Sequence, residues 1–242
     1  MTIRLEVCID DVSGLAACAE GGADRIELCS ALDLGGLTPS PGLISAASTS
    51  TVPVRAMIRP RAGDFFFTAA EMDVMLADIA AVRAAGLAGV VLGATTAGNE
   101  LDIAALGRLV EAAGHLGKTL HRAVDLLSDP VTAVDIAIHL GFDCILTSGG
   151  ALTADAGAAV IAAMVEHAAG RIDIMAGSGV RPENAATIYR DTRAHWLHSS
   201  CGRAEANGDD IRRFGFGAAE RRLTDAGRIR TLKAAAVSEA LP

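Results

Sequence analysis

Ala23-Asp24-Arg25-Ile26-Glu27-Leu28-Cys29, running into Ser30-Ala31-Leu32-Asp33-Leu34-Gly35-Gly36-Leu37-Thr38-Pro39-Ser40, decides the fold. Arg25, Glu27 and Cys29 alternate with apolar Ile26 and Leu28, a period of two that gives a short strand one greasy face and one ionisable face. Such a strand does not lie on a plain oily core. It fits a closed barrel, in which one face packs beneath helices, the other points into the lumen, and polar groups collect at the mouth. The Gly35-Gly36 loop then covers that mouth. Arg4-Leu5-Glu6-Val7-Cys8 repeats the Arg-x-Glu-x-Cys register, so two consecutive strands aim the same chemistry at one place.

Further strand-like runs follow at 53–58, 88–93, 118–122, 143–147, 172–177 and 195–200, making eight with 3–8 and 24–29. Between them lie Ala-rich segments of helical spacing at 69–85, 102–113, 130–140, 153–169 and 182–190. Eight β-then-α units predict a (β/α)8 TIM barrel as a single domain over residues 1–242. Thr68 with Glu71 forms a capping-box pattern, and Gly86, Gly114, Gly141 and Gly170 each follow a helix where a left-handed stop suits glycine. The helix at 41–48 is short and expected to be partly irregular. An open doubly wound sheet would want a glycine-rich turn after the first strand, and Ile9-Asp10-Asp11-Val12-Ser13 supplies none; no nucleotide-cofactor motif is present. Residues 201–220 are polar and aperiodic, an expected mobile loop over the open end, before a final helix at 224–239.

Composition narrows the function. Half the 242 residues are hydrophobic, but only 3% are aromatic and the net charge is −8, which argues against partners such as nucleic acid or an anionic membrane. Lys118 and Lys233 are the only lysines, the first at the closed end of the barrel and the second in the last helix, so neither a Schiff-base lysine nor a pyridoxal-phosphate (PLP) enzyme is expected. No apolar run approaches the roughly 18 residues of a spanning helix, and the first residues read as a strand rather than a signal peptide; the expectation is a soluble cytoplasmic protein. Five scattered cysteines without a C-x-x-C pair indicate reduced thiols.

In such a barrel the site lies at the C-terminal strand ends, and the opposite ends are expected to carry fewer charged groups. Glu6 and Glu27 suit general acid and base work or metal ligation, and equally a lumen ion-pair network with Arg4, Arg25, Arg59 and Arg61. Arg59 and Arg61 bracket Pro60, a rigid turn holding two guanidiniums for a carboxylate or phosphate. His121 ends the fifth strand and Asp125 follows four residues later, placed to orient the imidazole or, more simply, to cap a helix. Gly177-Ser178-Gly179 and Ser199-Ser200, with Ser148 and Gly149 after the sixth strand, occupy positions where backbone N–H groups and hydroxyls cradle an anion. Cys8 and Cys29, with His198, suit a soft ion such as Cu(I); the bland reading makes each thiol a small buried hydrophobe, and Cys18 and Cys144 are inert.

From residue 3 to 201 and again near Leu223-Thr224-Asp225 the chain resembles the CutC family. The motifs that carry this are Gly22-Ala23-Asp24-Arg25-Ile26-Glu27-Leu28-Cys29, Gly35-Gly36-Leu37-Thr38-Pro39-Ser40, Ile58-Arg59-Pro60-Arg61-Ala62-Gly63-Asp64-Phe65, His121-Arg122-Ala123-Val124-Asp125, Leu146-Thr147-Ser148-Gly149 and Ile174-Met175-Ala176-Gly177-Ser178-Gly179-Val180. The resemblance implies a (β/α)8 barrel, a cytoplasmic location, a homodimer or higher homo-oligomer, and a reported but disputed role in copper homeostasis. Where the family favours Glu before His-Ser-Ser, this chain has Trp196, removing one acid from the mouth. Two functions follow as expectations. One is copper binding through Cys8 or Cys29 with His121 or His198. The other is an enzyme on a small anionic molecule, with Arg59, Arg61, Gly177 and Ser178 gripping the anion and Glu27, His121 and Asp125 moving protons. The density of arginines and acids favours the second; a purely structural role needs no charged lumen.

Overall fold

The computed structural model describes residues 3–238. Eight parallel strands close into a barrel in sequence order: β1 (Arg4–Ile9), β2 (Arg25–Leu28), β3 (Val54–Met57), β4 (Gly89–Leu92), β5 (Gly117–Leu120), β6 (Cys144–Thr147), β7 (Asp173–Ala176) and β8 (Trp196–Ser199), which pairs back onto β1. The alternation read from the sequence sorts each strand as expected. Leu5, Val7, Ile9, Ile26 and Leu28 share one core with helix residues such as Met75, Ile79, Leu106 and Ile161. Their partners on the other face fill the lumen, where Cys144, Leu146, Met175 and Trp196 form one apolar cluster and Cys29, Met57 and Val91 another.

The helices α1 (Val12–Gly21), α2 (Pro41–Ala47), α3 (Ala69–Ala84), α4 (Ile103–Ala113), α5 (Ala133–Leu140), α6 (Ala158–Ala168) and α7 (Ala185–Thr192) wrap the barrel. α3 carries the capping box of Thr68 and Glu71. Contrary to expectation α2 is regular, because Ser40 Oγ accepts from Leu43 N–H and Pro41 presets the first turn. α6 starts later than its spacing suggests. Gly157 lies so close to Ser148 that a Cβ would overlap the Ser148 carbonyl, and Ala154 N–H donates to Ser178 O, so this turn is spent bracing the β6 and β7 loops.

Residues expected as an irregular loop instead form β9 (Gly202–Ala206) and β10 (Glu220–Thr224), an antiparallel pair with the short α8 (Asp209–Arg213) between them. Its strands carry charge rather than alternating apolar residues, and Glu205 binds both Arg203 and Arg221, so no period of two reveals them. The last helix, α9 (Ala226–Ser238), packs against α1 and α7. Among the described residues no helix is long and apolar enough to cross a membrane.

Candidate functional site

Glu6, Arg25, Glu27, Cys8 and His198 meet in the lumen because β1, β2 and β8 are neighbours in near register, with Glu6 opposite both Arg25 and His198. Glu6 is fully buried; Arg25 Nε donates to one carboxylate oxygen and His198 Nδ1 lies 3.0 Å from the other. Burial alone would raise the Glu6 carboxyl, but the His198 hydrogen bond and the Arg25 charge pull it down to about 2. His198 moves the other way: burial opposes its charge, yet Cys8, Glu27 and Glu6 around it hold it well above the usual imidazole range. Glu27, 3.6 Å from His198 Nε2, is held above the usual carboxylate range by burial and by the nearby Glu6 charge, against the pull of His198. Its Oε1 is buried without a hydrogen-bond partner.

Arg59, Phe65 and His121 form the facing wall. Arg59 spends its terminal nitrogens on loop carbonyls, Nη1 on Leu34 O at 3.0 Å and Gly36 O at 3.3 Å, and Nη2 on Gly63 O at 2.7 Å. Nε is left buried and unpaired. The Phe65 ring lies 4.8 Å from the Arg59 guanidinium carbon and 4.8 Å from the His121 ring. His121 fits only because position 93 is glycine: a Cβ there would sit inside three ring atoms of the imidazole. His121 Nδ1 accepts the Ala123 N–H at 3.2 Å, and Nε2 is buried with no partner. Burial, then the Arg59 charge, pushes this imidazole down to about 3, so it is neutral at physiological pH.

Asp125 does not orient His121. Its carboxylate accepts from Thr147 Oγ1, Ser148 N and Oγ, Gly150 N and Arg122 Nε, at 2.6 to 3.1 Å. The expected cradle at Ser148 and Gly149 is therefore spent inside the protein: Ser148 N–H goes to Asp125 and Gly149 N–H to Thr147 Oγ1. After β7, Ser178 has φ +75° and donates through Oγ to Leu152 O; at the end of β8, Ser199 Oγ donates to Val180 O. Asn184 bonds Arg181 N–H and Gly179 O, closing the β7 turn.

These elements enclose a cavity of about 590 Å³. Of the residues expected at the site, Cys8, Glu27, Arg59, His121, Ser178, Gly179, His198, Ser199 and Ser200 line it. Glu6 lies beneath as the anchor of Arg25 and His198. Cys29 is sealed off by Gly36, whose Cβ would lie 2.9 Å from the thiol sulfur, and burial pushes the thiol well above its ordinary range. Arg61 turns to Asp64 and Glu71 and away from the cavity, correcting the paired-guanidinium grip; Gly177 packs under Leu146 and His198. The cavity adds Arg122, Arg181 and Arg222. Arg181 stands two residues past the Gly177-Ser178-Gly179 turn, a local signal; Arg222 comes from β10 and had none. The thiol of Cys8, an oxygen of Glu27 and a nitrogen of His198 lie within 4.8 Å of one another, the set able to hold a metal ion among the described residues. All five cysteines are free and buried, and burial pushes Cys18 and Cys144 up to about 12.

Fold and cavity together define a (β/α)8-barrel protein with an ionisable pocket at the C-terminal strand ends. The CutC family profile matches residues 3–203, and the chain belongs to the CutC family. It is 54% identical over 233 residues to a family protein CutC of Sinorhizobium medicae, covering 96% of this chain and 95% of that one. A family protein CutC of Caulobacter vibrioides is 53% identical over 200 residues, covering 83% and 82%. The solved structure of a Streptococcus agalactiae protein described as copper homeostasis protein CutC superposes with a TM-score of 0.79 at 33% identity, over 82% of this chain and 99% of that one. Deoxyribose phosphate aldolase of Aeropyrum pernix, at 15% identity and a TM-score of 0.62 over 81% and 85% of the two chains, shares the fold alone.

Proposed function

We propose that the mouth cavity binds a small phosphorylated or carboxylated molecule and moves a proton on it. One observation carries this reading. Among the described residues four buried side-chain polar atoms lack a hydrogen-bond partner, and three of them, Glu27 Oε1, Arg59 Nε and His121 Nε2, belong to residues lining this one cavity. A buried polar group without a partner costs about 1–3 kcal/mol, so a cluster of them is a binding site awaiting complementary atoms. Among the described residues no carboxylate forms a salt bridge with Arg59, on which Asp64 acts only from a distance, and this calls for an anion; Glu27, with its raised pKa beside His198, is the group suited to exchange a proton with a bound molecule. The two lysines lie elsewhere, in β5 and α9, so the chemistry runs without a Schiff base. The five free, buried thiols favour a reducing, cytoplasmic setting.

The test is a thermal-shift and calorimetric screen of phosphorylated and carboxylated metabolites against the parent, Arg59→Ala and Arg61→Ala. A compound that stabilises the parent and Arg61→Ala but not Arg59→Ala is the expected result; indifference of all three proteins to the whole panel would sink the reading. With a hit in hand, Glu27→Gln keeps binding and stops solvent-deuterium exchange into the ligand.

A copper reading is favoured by the group formed by Cys8, Glu27 and His198. Thiol and imidazole are copper donors, and Glu6 on His198 Nδ1 is the supporting carboxylate that orients Nε2 of a metal-bound histidine, so these residues fit the ion. Bound copper would supply a Lewis acid or a one-electron centre. Anaerobic Cu(I) titration against a competing chelator separates the readings: binding lost in Cys8→Ser and kept in Cys29→Ser supports a metal role. Binding indifferent to Cys8 removes it.

A further inference from the structure

We infer that the cavity is built for a two-ended ligand, with a carbonyl or carboxylate oxygen held by the N–H groups of Arg59 Nε and His121 Nε2 and a phosphate at the opposite, β7–β8 rim, His121 serving as a fixed N–H donor rather than as a base. The inference rests on the anion-binding reading above and specifies the ligand.

The wall itself sets the first end. The Ala123 N–H occupies the lone pair of His121 Nδ1, which leaves the ring proton on Nε2. Gly93 and Phe65 pack against the ring and leave it one orientation. Arg59 is equally fixed: three carbonyls hold its terminal nitrogens, and Nε is its buried nitrogen without a partner. Arg59 and His121 share Phe65 as a neighbour, so the two unpaired donors belong to one surface. Two N–H groups and no acceptor describe a seat for one oxygen or one carboxylate, not for a free cation or an apolar group. Such a seat also stabilises negative charge that develops on a carbonyl oxygen when a neighbouring proton leaves.

The opposite rim sets the second end. Arg181 and Arg222 line the cavity there with Ser178 and Ser199, Arg181 also acting weakly on the exposed Asp155. Two guanidiniums suit the higher charge of a phosphate. Burial and Arg59 hold His121 neutral; Arg59 and, more weakly, Asp125 are the charges that act on it.

Calorimetry with three probes tests this: inorganic phosphate, glycolate and 2-phosphoglycolate, which joins the two ends. The expected result is 2-phosphoglycolate binding at least about tenfold tighter than either single-ended probe, a difference of about 1.4 kcal/mol. His121→Ala removes that advantage and leaves phosphate affinity unchanged, His121→Gln retains part of it through its amide N–H, and Arg181→Ala with Arg222→Ala weakens phosphate and 2-phosphoglycolate together. Long-range 1H–15N spectra of the histidine-labelled parent, which need no variant to fold, should show the Nε2–H form of His121 unchanged from pH 5 to 8. Phosphate or glycolate bound without any gain for 2-phosphoglycolate overturns the two-ended ligand while the anion reading stands; no binding of any of the three probes brings down both. A His121 that titrates in this range, or carries its proton on Nδ1, overturns its role as donor.

Discussion

At the N-terminal end of the strands Arg55 binds Asp143 and Thr119, Asp143 also accepts the Lys118 N–H, Trp196 Nε1 donates to Asp173, and Arg4 lies over the Trp196 ring. At the C-terminal end Glu6 is saturated by Arg25 and His198, whereas Glu27, Arg59 and His121 each retain an unpaired buried atom. Both ends are charged, so the expectation that charge would favour the mouth was not the discriminating one. What separates the two ends is how many buried polar atoms stand unpaired: among the described residues the mouth has three and the opposite end has one, His195 Nδ1 just before β8.

The largest break in this comparison comes from Glu6→Leu. It leaves Arg25 buried without its ion-pair partner and His198 with Glu27 alone, and should cost about 3–5 kcal/mol in urea unfolding, whereas Asp143→Asn at the other end, where the acid is half-exposed, should cost roughly 1 kcal/mol or less. Equal losses would erase the distinction between the ends. Gly93→Ala comes next. Its methyl enters the space of the His121 ring, an overpacking cost of about 1–3 kcal/mol, and 2-phosphoglycolate binding should fall with it while phosphate binding persists.

Acid sharpens the contrast between the two histidines. His121 has its folded pKa lowered from 6.5 to about 3, so the unfolded chain binds more protons in that window, and stability rises with pH across it, complete above 6.5. Between pH 7 and pH 5 this group alone removes roughly 2 kcal/mol, and His121→Gln should flatten that slope in denaturation curves. His198, with its folded pKa raised, contributes stability that is full below 6.5 and is lost as pH rises through the folded value, so His198→Gln should change the slope in the opposite sense. The Glu6 contribution lies lower still, present above 4.5 and lost as pH falls toward about 2. The smallest effect is Arg61→Ala: calorimetry should find phosphate affinity unchanged, since this guanidinium is engaged by Asp64 and Glu71 outside the cavity.

The alternation at Arg25-Ile26-Glu27-Leu28-Cys29 made the barrel legible, because a strand with one charged face has few places to lie. It also placed Glu27, His121, His198 and Arg59 at one end. Partners were not legible. His121 and Asp125 are four residues apart, and the sequence suggested a pair; the backbone turn after β5 sends the carboxylate to the β6 loop instead. Cys8 and Cys29 hold equivalent places in the Arg-x-Glu-x-Cys repeat, yet the pairing sets Cys8 level with Glu27 and on the cavity, while Cys29 falls one step beyond, beneath Gly36. Arg222 reaches the mouth through a strand pairing whose residues carry no apolar rhythm.

That last strand has a consequence for how ligand choice diversifies. The stretch matched by the family profile ends at residue 203, and β10, with Arg222, lies beyond it. The lumen wall with its unpaired donors is thus built inside the matched stretch, while the hairpin that carries Arg222 is a separate faceplate set over it. Exchanging the segment 202–224 between two family members, with the lumen left intact, tests whether this faceplate alone sets preference for the far end of a ligand.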